Sequence, residues 1–314
     1  MKKFYILLCI AALCLFIFGC REIDDANINT EPTVHSVTFI SEGKTYESNI
    51  IETGNVVAPP IKDPTKTNHK FLGWYTDGDY SQLYDFSTPV TKSIRLYAKF
   101  QLDTEALALG AEEAKNHIVK IQNKCYNSED DATVIDTLGV IFVRSGKYCY
   151  TLAPCHAVKK MDNYKAQEVT VFDVDGNSYK GYSYRRSEQD PVAIIEEYDL
   201  ALVCFEYSGS KLGAVERQTS NPDIGDIAIA LDAKDNIAYG EITDYKAYEW
   251  DVDEKLSNVD FDVLHHSAVL EGSKESILFD ISFSLVGITY TTEDGTAYAI
   301  PASRIHEFLY KYVY

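Results

Sequence analysis

Short runs of alternating apolar and polar residues dominate the chain from about residue 134 onward. Such alternation, bounded by turn-forming residues, predicts β-strands. The predicted strands are TLGVIFV, KYCYTLAP, EVTVFDV, SYKGYSY, LALVCFE, DIAIAL, FSLVGITY and TAYAIP. The segments DVDGNS and TEDGTA between them are typical of hairpin turns. Many short strands without intervening helices indicate a β-barrel or a β-sandwich.

Two segments have the spacing of amphipathic helices instead. Residues 103–122 place Leu107, Ala111, Ala114, Ile118 and Ile121 on one face, and Asp103 is a suitable cap. Residues 302–314 follow Pro301 and predict a closing helix whose apolar face holds Ile305, Phe308, Leu309 and Tyr312.

The N-terminus has the pattern of an export signal. Lys2 and Lys3 precede an apolar run that ends at Phe18, and the run is too short to favour a membrane-spanning helix. The sequence Ile17-Phe18-Gly19-Cys20 resembles the bacterial lipobox, which implies removal of residues 1–19 and a lipid on Cys20. We therefore expect an exported lipoprotein anchored at the bacterial cell surface or envelope, with an ordinary signal peptide or an anchor helix as the alternative. The polar residues 20–35 predict a tether.

Charge and cysteine content limit the partners. The formal charge of −19 becomes −21 without Lys2 and Lys3, and such a chain repels nucleic acid and anionic lipid head groups. Membrane attachment is therefore expected to depend on the lipid. Cys125, Cys149, Cys155 and Cys204 remain after the export segment and allow three disulfide pairings, which the sequence leaves open. They form no C-x-x-C pair, so we expect no metal site and no cofactor. The oligomeric state is open.

Residues 36–101 form a separate small unit. VTFI and IRLYAKF alternate as strands do, and the proline-rich segment between them excludes a helix. With FLGWYTD, YDFSTPVT and LYAKF, this unit resembles the Listeria–Bacteroides repeat, a β-grasp-like module of bacterial surface proteins. The resemblance implies a spacer or adhesion role, and we expect Trp74, Tyr75 and Phe86 to form its core.

The remaining residues, 102–314, resemble trypsin-like serine peptidases of the HtrA type. The resemblance depends on the order of Cys155-His156-Ala157-Val158, Asp199-Leu200-Ala201-Leu202 and AYAIP. It implies a mainly β fold with two barrels at about 123–207 and 223–300, flanked by the two helices. His156 would be the catalytic base and Asp199 the acid that orients it.

The third catalytic residue is missing from this pattern. The family motif is Gly-x-Ser-Gly-Gly-Pro-Leu, and the matching segment here is GSKESIL. The resemblance therefore puts Lys274 at the nucleophile position, Gly272 in the oxyanion loop and Ala268 at the start of the specificity pocket. A Lys amine with an ordinary pKa near 10.4 is protonated at neutral pH and is not a nucleophile. Ser273 and Ser276 are weak alternative nucleophiles.

Three functions are compatible with these observations. The first is a pseudo-protease that binds a peptide or protein in the cleft between the barrels without cutting it. The second is an active serine endopeptidase with an atypical nucleophile loop, and the third is a structural or adhesion module that acts through the repeat. The sequence favours the first.

Overall fold

The fold was analysed in a computed structural model that describes residues 32–183, 194–234, 236–247 and 261–313. The predicted signal peptide 1–19, Cys20 and most of the tether 20–35 lie outside the described residues.

Strands account for most of the regular structure. In chain order they are β1 Val34–Ser41, β2 Lys44–Glu52, β3 His69–Tyr75, β4 Ile94–Leu102, β5 Ile118–Ser128, β6 Asp131–Ser145, β7 Tyr148–Pro154, β8 Ala166–Phe172, β9 Ser178–Ser183, β10 Ile194–Ile195, β11 Leu200–Glu206, β12 Ile227–Leu231, β13 Ile237–Ala247, β14 Asp262–His266, β15 Glu275–Phe279, β16 Leu285–Thr291 and β17 Ala297–Pro301. The helices are α1 Thr104–Ala114, α2 Cys155–Val158 and α3 Ala302–Tyr312, and single 3₁₀ turns occupy Lys115–His117 and Glu196–Tyr198.

Contacts between Cα atoms divide the chain into two units. The smaller unit holds the residues up to Lys62 together with Trp74–Ala98, and the larger holds Asp63–Gly73 with Lys99–Tyr314. Both barrels described below belong to the larger unit.

The first four strands form one sheet in the order β2-β1-β4-β3. Strand β1 pairs antiparallel with β2 and parallel with β4. Phe39 and Trp74 are buried, with ring centroids 4.8 Å apart, and Phe86 stacks on Phe39. Trp74 and Phe86 therefore pack as predicted. Tyr75 is only half-buried, because adjacent strand residues point to opposite faces.

The first barrel consists of β5, β6, β7, β8, β9 and β11. The sheet runs β11-β7-β6-β5-β8-β9 and closes because β11 also pairs with β9. The short strand β10 adds to β11 at the edge. Alternate residues of these strands fill the barrel with a core that includes Ile121, Ile141, Val171 and Phe205.

The second barrel is also closed and has six strands in the order β12-β13-β14-β17-β16-β15. Its interior holds Ala230, Leu264, Leu278 and Val286 among others. The structure is therefore mainly β with two closed six-stranded barrels, as the sequence predicted.

A larger core lies between the two barrels. It combines Val140, Leu152 and Leu200 from the first barrel with Ile229, Ile277 and Phe279 from the second, and it is covered by Leu107 of α1 and Phe308 of α3. Each barrel thus has two buried faces, one towards its own interior and one towards its neighbour. This core fixes the mutual position of the two walls of the candidate site.

The predicted helix 103–122 is wrong in its second half. Helix α1 begins after Asp103, whose carboxylate caps Glu105 and Ala106 as predicted, but it ends at Ala114. Residues 118–122 belong to β5, so the first barrel begins at Ile118 instead of 123. The physical reason is burial on both faces. Ile118 enters the core between the barrels while Val119 enters the interior of barrel one, and β-branched residues suit such a strand.

Candidate functional site

Two neighbouring strands of the first barrel position His156 and Asp199. Helix α2 begins directly after β7 and carries His156, whereas Asp199 directly precedes β11. Pro154 and Leu200 are paired in the ladder between β7 and β11. The two site residues are 43 positions apart in sequence, and this pairing brings them to the same end of the sheet.

His156 and Asp199 form a tight hydrogen-bonded pair. The His156 Nδ1 lies 2.7 Å from Oδ2 of Asp199, and the backbone N–H of His156 donates to Oδ1 at 2.9 Å. The backbone N–H of Cys155 donates to the Asp199 carbonyl oxygen at 3.0 Å. A carboxylate only accepts hydrogen bonds, so this contact requires the proton on Nδ1 and leaves Nε2 facing away from Asp199.

Asp199 has an unusual backbone conformation at this point. Its φ is +48° and its side chain is almost fully buried. Asp adopts this left-handed region more readily than most residues, yet the conformation is still uncommon. The three hydrogen bonds from Cys155 and His156 stabilise it.

Tyr290 connects the second barrel to this pair. Its hydroxyl donates to Oδ2 of Asp199 at 3.0 Å, and its ring centroid lies 5.4 Å from that of His156. Burial raises the pKa of Tyr290 well above its ordinary value, and the negative charges of Asp199 and Glu275 raise it further. The phenol therefore stays protonated and serves as a hydrogen-bond donor to the carboxylate.

The segment predicted to carry the nucleophile lies just before β15. Gly272 has a φ of +74°, which suits glycine. The Ser273 hydroxyl donates to the carbonyl oxygen of Glu275 at 2.8 Å. Lys274 is 72% exposed, with its ammonium 3.7 Å from the carboxylate of Glu293, and its carbonyl accepts from the Thr291 N–H at 2.8 Å.

Glu275 ties this segment to the first barrel. Its Oε2 accepts from the Thr137 hydroxyl at 2.7 Å and from the Leu138 N–H at 3.0 Å. Thr137 and Leu138 lie on β6, whereas Glu275 begins β15. The carboxylate thus bridges the two barrels.

Ser276 faces away from the region between the barrels. It is only 3% exposed, and it shares a strand face with Leu278, which lies in the interior of barrel two. Ile277 and Phe279 point the other way, into the core between the barrels. The hydroxyl of Ser276 is therefore on the opposite side of β15 from the core that the two barrels share.

A cavity of about 880 Å³ adjoins His156. Barrel one contributes Leu138, Met161 and Phe172 to its wall, and the β12–β13 hairpin contributes Asp232 and Lys234. The wall is completed by Gly272, Ser273, Lys274 and Glu275. The structure therefore brings four of the predicted site residues, His156, Gly272, Ser273 and Lys274, to one cavity.

The remaining predicted residues lie elsewhere. Ala268 is 1% exposed and belongs to the core of barrel two, so it does not line this cavity. Cys125, Cys149, Cys155 and Cys204 all carry thiols in the structure, and no disulfide joins any two of them.

Sequence analysis missed Tyr290 and Glu275. The strand FSLVGITY was predicted, but nothing in it indicates that its last residue donates to a carboxylate 91 positions away. Glu275 was noticed only as a replacement for glycine. Its hydrogen bonds to β6 depend on the packing of two barrels, for which the local sequence contains no signal.

Comparison with known proteins identifies the N-terminal module. Residues 35–99 match the family model of the Listeria-Bacteroides repeat domain, in agreement with the resemblance found in the sequence. This match covers less than half of the chain and leaves the two barrels without a family assignment.

Two relatives come from Evansella cellulosilytica. One is named "Putative membrane protein" and the other "Putative Gly-rich membrane protein". Each is 36% identical to this chain over 75 residues, which is 23% of the chain. The match spans only 11% of the first relative and 9% of the second.

Among the described residues, no helix has both the length and the apolar character that a membrane span requires.

Proposed function

We propose that the two barrels form a trypsin-like serine peptidase fold that has lost its nucleophile and binds a peptide or protein segment beside His156. One observation carries the proposal. The hydrogen-bonded pair of His156 and Asp199 lies at a cavity whose wall holds Lys274, in place of a serine hydroxyl.

The chemistry of acyl transfer explains why this matters. A serine peptidase needs a hydroxyl nucleophile, a base that takes its proton and an acid that orients the base. His156 and Asp199 have the geometry of the last two. Loss of the nucleophile from such a set lowers turnover about a millionfold, or about 8 kcal/mol of barrier. The cavity and its walls remain available for binding.

The geometry of the neighbouring serines weighs against an active endopeptidase. Ser276 is buried and shares the strand face of Leu278, away from the core between the barrels. The Ser273 hydroxyl already donates to the carbonyl oxygen of Glu275. Neither arrangement suits a hydroxyl that must give its proton to His156.

A fluorophosphonate probe tests this proposal, because it labels only an activated serine. We expect no labelling of the wild-type chain above that of a His156→Ala variant. Labelling that is lost in both His156→Ala and either Ser273→Ala or Ser276→Ala would establish the active enzyme instead.

A surface location is the second part of the proposal. The repeat at residues 35–99 and the names of the two relatives favour a protein of the bacterial surface or membrane. The lipobox-like sequence before Cys20 suggests a lipid anchor. In this arrangement the repeat acts as a spacer or adhesion module, and the barrels present the binding cavity.

A further inference from the structure

The carboxylates that line the cavity beside His156 already have hydrogen-bond donors. Asp136 pairs with Lys120 at 2.8 Å. Asp173 accepts from the Tyr179 hydroxyl at 2.8 Å, and Asp232 accepts from Asn236 Nδ2 at 2.7 Å. Glu275 accepts from Thr137 and Leu138, as described above. Each of these carboxylates thus already has a donor within the protein, and Asp136 also has a cationic partner.

Two lysines of the same wall are less engaged. Lys274 is 72% exposed, and its ammonium lies 3.7 Å from the carboxylate of Glu293, which is 89% exposed. Lys234 is exposed, and no acidic side chain among the described residues lies within ion-pair distance of it. An exposed pair at such a distance contributes little, because water screens both charges. A ligand anion can therefore replace Glu293 beside Lys274 at low cost.

The same wall also holds apolar side chains. Leu138, Met161 and Phe172 line the cavity, and all three are half-buried. Burial of an apolar ligand group against them is favourable, since it removes apolar surface from water. The wall of the cavity beside His156 thus offers apolar side chains and the two exposed lysines Lys234 and Lys274.

The overall charge of the chain limits which anion fits. At a formal charge of −19, the protein repels polyanions at long range. A ligand with a single carboxylate at the end of an apolar segment avoids most of this repulsion. The C-terminus of a peptide has this chemistry.

We propose that the cavity recognises the free C-terminal end of a peptide, with the terminal carboxylate against the Lys274 ammonium and an apolar terminal side chain against Leu138, Met161 and Phe172. The inference deepens the proposed function and rests on it. It assigns to Lys274 a role as a specificity-determining residue, at the position where a peptidase of this fold would carry its nucleophile.

A paired peptide library tests the assignment. One set of hexapeptides of random sequence ending in Leu is prepared as the free acid and again as the C-terminal amide, and capture by the immobilised full chain is quantified by mass spectrometry. We expect about two- to fivefold more capture of the acid form, the scale of one exposed ion pair. Lys274→Gln should remove this preference, so that this variant captures the acid and amide forms equally.

Two further variants make the result specific. Glu293→Gln removes the internal competitor for Lys274, so it should increase capture of the acid form. Lys246→Gln changes the net charge as Lys274→Gln does, at an exposed strand residue outside the cavity, and it should retain the acid preference. If acid and amide are captured equally by the wild type, or if Lys246→Gln abolishes the preference as well, carboxylate recognition is wrong while peptide binding stands. If neither form is captured, the proposed function itself fails.

Discussion

At the residue scale, the proposed function makes Lys274 and Glu275 the residues that distinguish this site from that of a working serine peptidase. In that proposal Lys274 stands where the hydroxyl would be, and the Glu275 carboxylate holds the segment to Thr137 and Leu138 of the first barrel. Two glycines at the corresponding positions would leave the backbone free to adopt other conformations. The proposal therefore implies a site that differs from an active one in backbone freedom as well as in its nucleophile.

We predict that Lys274→Ser alone will not produce a peptidase. The new hydroxyl would lie next to Glu275, whose hydrogen bonds keep the segment in its present conformation, and a misplacement of about 1 Å already costs about a hundredfold in rate. Cleavage of fluorescein-labelled casein should stay at the level of the His156→Ala variant. A variant that carries Lys274→Ser together with Gly at positions 275 and 276, and that keeps the buried Ile277, should cleave casein faster than Lys274→Ser alone. Full activity of the single variant would show that the segment is not constrained.

The burial of His266 leads to a separate prediction about how stability depends on pH. It is 5% exposed, with Nε2 3.0 Å from the Thr289 hydroxyl, and burial lowers its pKa to about 4. Between pH 6.5 and 4 the unfolded chain binds a proton that the folded chain does not, so stability falls as the pH falls. The resulting loss in the free energy of unfolding is on the order of 3 kcal/mol once the pH is below both pKa values.

The measurement is urea unfolding at pH 7 and at pH 4.5. The wild type should lose more stability over this range than His266→Gln does. His306→Gln, at an exposed position of α3, should behave as the wild type. Equal losses of stability in the wild type and in His266→Gln would contradict the lowered pKa of His266.

At the element scale, the sequence predicted the strands that alternate clearly and missed those that do not. All eight runs named from the pattern are strands in the structure. Residues 118–122 were taken as helix because Ile118 and Ile121 fit a helical spacing as well as a strand. The two structures differ in that the strand buries side chains on both of its faces, and the local sequence does not show that the second face is buried. Strands β13, β14 and β15 were not predicted individually because polar residues interrupt their alternation.

The candidate site was predictable only where its residues lie beside clearly predicted strands. His156 and Asp199 each lie at the end of a clear strand, and the resemblance to trypsin-like peptidases, which depends on the order of those strands, paired them. Contacts of Tyr290 and Glu275 join different barrels, and they depend on the core that Val140, Ile277 and their neighbours form between them.

Gly240 offers a test of the packing behind the candidate segment. A Cβ atom at this position of β13 would lie 2.6 Å from the carbonyl carbon of Ser267 and still closer to the Ala268 nitrogen. The backbone that leads to Gly272 would have to move. We expect Gly240→Ala to destabilise the chain by about 1–3 kcal/mol, seen as a lower midpoint of thermal unfolding. Gly78→Ala, where the same atom meets open space, is the control, and an equal effect of both would contradict this packing.

At the scale of the whole molecule, the repeat, the barrels and the export signal suggest a protein held at a membrane with a binding cavity exposed. The barrels supply two walls fixed by a common core, and the repeat is a separate sheet with its own aromatic core. None of these described elements supplies a membrane span. The lipobox-like sequence before Cys20 predicts attachment through a lipid on that residue.

We predict that Cys20→Ser moves the protein from the membrane fraction to the soluble exported fraction. Lipid chains supply about 0.8 kcal/mol of membrane affinity per buried CH₂, and this variant lacks their attachment site. Cys14→Ser, within the segment predicted to be removed, should remain in the membrane fraction. The result is read by immunoblotting of fractionated cells, and a Cys20→Ser variant that stays in the membrane fraction would point to another anchor.

The most direct test of the central claim is digestion of a peptide library by the purified lipid-free chain, with products identified by mass spectrometry after prolonged incubation. Our account predicts the same peptides before and after incubation, and no products beyond those of the His156→Ala variant. Cleavage products that appear with the wild type and disappear with His156→Ala would show a working peptidase and contradict the loss of the nucleophile.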